Sequence, residues 1–81
     1  MKAFVLTREA VADGVLFAYL PLAYQREEDA LAMFNKILRE DIIPEYIEIR
    51  GYREIKDTKG NYTAIRGADI IHLSVTGVEM R

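Results

Sequence analysis

Ala12-Asp13-Gly14-Val15-Leu16-Phe17 is the stretch on which the reading of this chain turns. Asp-Gly between two β-branched and aromatic runs is a strong hairpin signal, because both centres of a type I′ turn need positive φ. The runs are residues 3–7 before it and 15–20 after it. With Asp13-Gly14 as the turn, Ala12 faces Val15, Ala10 faces Phe17 and Arg8 faces Tyr19. Pro21 is expected to end the second strand, since it cannot donate to a ladder.

Downstream, residues 26–41 carry a helical period. Ala30, Phe34, Ile37 and Leu38 form one stripe, widened by Leu31 and Met33, while Asn35, Lys36, Arg39 and Glu40 take the far side. Glu27, Glu28 and Asp29 suit the positive end of the helix dipole. The N-cap is poor, because Tyr24 and Gln25 offer no short capping oxygen. Pro44 is expected to close the segment, with a little irregular chain around Asp41 to Ile43.

Tyr46 to Lys56 alternates as a strand, and Asn61 to Arg66 reads as its partner across a loop ending at Gly60. The last strand is expected over Ile70 to Val78, with His72, Ser74 and Thr76 on one face. Gly67-Ala68 fits either a tight turn or part of a wider loop. The expected fold is α+β in the order ββαβββ: a mostly antiparallel five-stranded sheet with one amphipathic helix on one face. Residues 1–81 make one small domain.

Composition narrows the function classes. The chain has no cysteine and one histidine, which excludes disulfides, thiolate chemistry and Cys-based zinc sites. Missing covalent staples in so small a domain favour a reducing cytoplasm. Met1 to Arg8 lacks an apolar signal region, and no stretch reaches the ~18 apolar residues of a membrane span. Net charge is −2, so no global basic field draws in nucleic acid. His72 and Ser74 lie two apart on a strand, side by side with no third group to orient them, so the expectation is no enzyme and no cofactor.

The most informative region is 46–66. If Asp57 pairs with Asn61, then Lys56 faces Tyr62, Glu54 faces Ala64 and Tyr52 faces Arg66. Alternation then sets Tyr46, Glu48, Arg50, Tyr52, Glu54 and Lys56 on the solvent face with Tyr62, Ala64 and Arg66. Ile47, Ile49, Ile55 and Ile65 turn to the core. Residues 50–66 hold five Lys or Arg against two acids, +3 in a chain of net −2. The candidate binding residues are therefore Tyr46, Arg50, Tyr52, Arg53, Lys56, Lys59, Tyr62 and Arg66. Tyrosine with arginine is what protein hot spots are made of, and also what base stacking with phosphate contact requires. The plainer reading is a solvated hairpin stabilised by cross-strand pairs.

The first hairpin is apolar on both faces, and one helix covers only one of them, so a homodimer is expected. Asp13 to Pro21 followed by Glu27-Glu28-Asp29-Ala30-Leu31-Ala32 resembles the hairpin-then-helix opening of HicB-type antitoxins. That likeness covers about a third of the chain, and the glycine expected after the proline region is missing. It implies a regulatory or toxin-neutralising role. The expectation is a non-enzymatic binding or regulatory module, bacterial or phage-encoded and inhibitor- or antitoxin-like, meeting a protein partner through the 46–66 hairpin. The alternative is a nucleic-acid or small-ligand binder using the same residues.

Overall fold

The first hairpin forms in the expected register, and the rest of the sheet is built onto it. A computed structural model describes residues 2–18 and 21–79. Strand β1 (Lys2–Ala12) turns through Asp13 and Gly14, at φ 53° and 76°, into β2 (Val15–Ala18). Ala12 faces Val15 and Ala10 faces Phe17; the expected Arg8–Tyr19 pair lies outside the described residues. Beyond Pro21 a short strand not expected from the sequence, β3 (Leu22–Tyr24), returns to β1 and pairs Leu22 with Leu6.

Helix α1 (Glu27–Ile37) starts after Arg26, which makes no side-chain cap. Its carbonyl instead accepts the N–H groups of Asp29 and Ala30, and its guanidinium pairs with Glu28. The helix does not stop before Pro44. It widens into a π-helix, Leu38–Ile49, with Pro44 inside it. Gly51, at φ 74°, ends that segment in the left-handed region a side chain resists. The Tyr52 N–H then reaches back 2.8 Å to the Tyr46 carbonyl.

Strands β4 (Arg53–Thr58), β5 (Asn61–Arg66) and β6 (Asp69–Glu79) complete the fold. All strand pairs are antiparallel, in the order β2-β1-β6-β5-β4, with β3 also on β1. The result is the expected α+β architecture with six strands rather than five. Gly67-Ala68 is a tight two-residue turn, since Arg66 pairs with Asp69. That places His72, Ser74 and Thr76 together on one face, as alternation requires.

The helical layer covers the other face. Leu6, Tyr62, Ala64, Ile71 and Leu73 from the sheet meet Phe34, Leu38 and Ile42 from the helical segments, all buried. Full burial of a side chain such as Ile42, Ile71 or Leu73 contributes about 1.5–3 kcal/mol. Arg8, on the same face of β1, reaches Asp41 of the π-helix at 3.7 Å. The shortest dimension is 17 Å, the depth of one sheet and one helical layer.

Three expectations for residues 41–66 are corrected here. Tyr46 to Ile49 is helical, not strand, and β4 begins only at Arg53. The β4–β5 turn is Lys59-Gly60, so Thr58 faces Asn61 and Asp57 faces Tyr62. The expected Glu54–Ala64 pair holds, because a bulge between Glu54 and Lys56 absorbs the extra residue. The faces also differ from the alternating pattern. Tyr52 and Tyr62 are buried, whereas Ile49 is 75% and Ile55 is 53% exposed. Edge strand β4 lies beyond the helical cover, so Ile55 finds no core to enter, and the π-helix carries Ile49 outward.

Candidate functional site

Four of the eight candidate residues meet at one end of the molecule, brought there by elements other than the expected hairpin. Tyr46 lies on the last turn of the π-helix, Arg50 caps that helix, Tyr52 follows Gly51, and Arg66 ends β5. The Tyr46 and Tyr52 rings meet edge to face, centroids 5.1 Å apart at 83°. The Arg50 guanidinium lies 5.3 Å from the Tyr46 ring centroid, and that of Arg66 lies 5.3 Å from the Tyr52 centroid. Each ring thus carries one cation on its π face.

Carboxylates and a helix end fix the two guanidiniums. Arg50 donates Nε to Glu45 Oε1 at 3.0 Å, with its Nη2 2.9 Å from the same oxygen. Arg66 donates Nη1 to the Arg50 carbonyl at 2.9 Å, a favourable cation at a helix C-terminus. Its Nη2 lies 3.8 Å from Asp69 Oδ2. Asp69 Oδ1 in turn accepts the Asp13 N–H at 3.2 Å, tying this end to the first hairpin turn. Two arginines and two carboxylates leave the cluster near neutral. Burial pushes the Tyr52 phenol pKa upward, the Asp69 carboxylate adds to it, and Arg66 opposes it.

The other four candidates lie elsewhere. Arg53 and Lys56 are exposed on β4. Lys59 sits in the β4–β5 turn with Nζ 3.8 Å from Glu27 of α1. Tyr62, expected on the solvent face, is wholly buried against the helices. Burial and the nearby Glu54 carboxylate push its phenol upward. Its hydroxyl has no hydrogen-bond partner of good geometry among the described residues.

Glu45 and Asp69 were not among the candidates. Glu45 stands five residues before Arg50, a spacing that pairs them on a π-helix and not on an α-helix or a strand. Asp69 stands three after Arg66, and pairs with it only once Gly67-Ala68 is a two-residue turn.

His72 and Ser74 do not work on each other. The Thr63 hydroxyl and His72 Nδ1 share a 2.8 Å hydrogen bond, and Ser74 shares one of 2.8 Å with Thr7. The row lies on the open face of the sheet, opposite the helices. A shallow cleft of about 220 Å³ lies at the far side, between Glu27, Leu31, Lys59, Gly60 and Val75. It is smaller than a typical small-molecule pocket of about 300–1,000 Å³. Among the described residues no three of the His, Asp and Glu side chains gather as metal ligands, and no helix is long and apolar enough to cross a membrane. Compared with protein-family models, curated proteins and solved structures, the chain gives no match.

Proposed function

We propose that this chain is a small non-enzymatic binding module, regulatory in the manner of an inhibitor or antitoxin, that meets a protein partner through Tyr46, Arg50 and Arg66, with buried Tyr52 supporting them from beneath. The observation that carries the reading is the pair of guanidiniums stacked on tyrosines and held by Glu45 and Asp69. Side chains fixed before contact lose less entropy on binding, and Arg with Tyr is the composition of interface anchors. Charge favours a protein over a nucleic acid, because the local carboxylates already balance both arginines in a chain of net −2. The cysteine-free composition fits a cytoplasmic setting, and the apolar first hairpin fits association of two copies.

Affinity capture from host extract tests this, comparing the wild type with the Arg50→Ala/Arg66→Ala double variant. A protein retained by the wild type and lost by the variant, with the variant still folded, is the expected result. Each anchor should be worth about 1–4 kcal/mol of binding. Retention unaffected by the double change would overturn the reading. So would a captured nucleic acid whose affinity falls steeply with salt.

A further inference from the structure

The sheet has two outer edges of opposite character. Strand β4 is guarded: it carries Arg53, Glu54, Lys56 and Asp57, and a bulge between Glu54 and Lys56 breaks its line. Charges and bulges are how proteins stop an edge from pairing with another chain. Strand β2 has neither. Val15, Leu16, Phe17 and Ala18 run in unbroken register, all exposed and all uncharged, with Val15 at 53%, Leu16 at 64% and Phe17 at 52%.

We propose that β2 is the site where a second copy of this chain adds, strand to strand and antiparallel, about a two-fold axis normal to the sheet. This deepens the association of copies proposed above and rests on it. The hairpin register then selects the pairing. A two-residue turn makes Ala12 and Val15 a hydrogen-bonded pair, and bonded and non-bonded pairs alternate from there. Val15 and Phe17 therefore direct their N–H and C=O groups toward β1, while Leu16 and Ala18 direct theirs outward.

One two-fold register uses every outward group. Leu16 faces Ala18 of the second copy in both directions, and Phe17 faces its own counterpart at the centre. Both Phe17 rings then lie on the helix side, as the Phe17–Ala10 pairing requires. The new ladder ends with β2 at Ala18. No charged residue of β2 has to be desolvated. A ladder of three residues per strand buries less than the roughly 1,200 Å² of a stable interface, so association depends on concentration within the ordinary laboratory range.

The test uses the cysteine-free chain. Phe17→Cys and Val15→Cys are each oxidised mildly across a concentration series, and light scattering is run on the wild type and on Ala18→Pro. Facing non-bonded residues stand close enough for a disulfide, so Phe17→Cys should cross-link rapidly, while Val15→Cys, four residues out of register with itself, should not. The wild-type mass should rise above the 9.3 kDa of one chain. Ala18→Pro removes only an outward N–H, so it should stay at that mass with melting preserved. Should Val15→Cys cross-link as fast as Phe17→Cys, the register fails. A dimer that persists in Ala18→Pro moves the interface elsewhere and leaves association standing. A wild-type mass fixed at one chain overturns both. If Ala18→Pro unfolds, the cysteine pair still decides.

Discussion

Tyr46 and Tyr52 hold each other edge to face at 5.1 Å, one on the π-helix and the other on the chain that leaves it. The contact spans the Gly51 bend and fixes the direction in which β4 departs. Tyr52 is buried, so Tyr52→Ala should cost about 3–5 kcal/mol, while half-buried Tyr46 should cost less. A double-mutant cycle by urea unfolding should return a coupling of about 0.5–1.5 kcal/mol. Strict additivity would mean that the rings do not support each other.

Tyr62 is a large buried side chain whose hydroxyl lacks a good partner among the described residues. An unsatisfied buried hydroxyl costs about 1–3 kcal/mol, so Tyr62→Phe should hold or raise stability at pH 7. A loss above about 1 kcal/mol would point to a partner that the geometry does not give.

The same phenols set the alkaline limit. Burial raises Tyr52 and Tyr62 above the ordinary value of 10.0 in the fold. Above pH 10 the unfolded chain gives up protons that the fold retains, so raising the pH favours unfolding. Stability should be level below pH 10 and fall above it, less steeply in Tyr62→Phe. Chemical denaturation at stepped pH from 8 to 11.5 reads this directly.

Gly60 and Gly14 share the left-handed region, at φ 73° and 76°, but only one is crowded. A Cβ on Gly60 would meet Leu31 Cδ2 at 3.3 Å, whereas one on Gly14 meets nothing within 4 Å. Alanine at either site should cost about 1–2 kcal/mol for the backbone. Gly60→Ala should cost measurably more, since Leu31 has to shift, and thermal melts of the two variants compare them. Equal losses would mean that Leu31 moves freely.

His72→Ala removes one hydrogen bond to Thr63 on the open face. The expected loss is about 0.5–1.5 kcal/mol, with partner capture unchanged. Loss of a measured activity in a folded His72→Ala protein would restore the enzyme reading.

Where local chemistry was unambiguous, the residues declared the structure. Asp13-Gly14 dictates its turn, and Ala30, Phe34 and Leu38 mark the buried helix face. The site was only half legible, and for one reason. Tyr46-Ile47-Glu48-Ile49-Arg50 alternates like a strand, and Pro44 ends a helix only where the chain keeps the i to i+4 pattern. The contrary signal lies in Ala30, Phe34, Leu38, Ile42 and Tyr46, which repeat at four-residue steps straight through the proline. A turn wider than 3.6 residues keeps such a stripe on one side. The Glu54–Lys56 bulge then shifted the register where sequence offers no marker.

The longest ladder in the sheet joins β1 to β6, from Lys2 with Glu79 to Val11 with Ile70. Its partners stand 59 to 77 positions apart along the chain. The β4-β5-β6 meander closes through two tight turns, whereas the β1–β6 ladder joins strands from opposite ends of the described chain. Before that ladder closes, Phe4, Val5 and Leu6 have only the three-residue β3 beside them. The long-range step is therefore the joining of two local units, β1 with β2 and β3 on one side and the β4-β5-β6 meander on the other. Such distant pairing slows folding and prolongs the exposure of an apolar strand, so the aggregation-prone species is the one in which the β1–β6 ladder is still open.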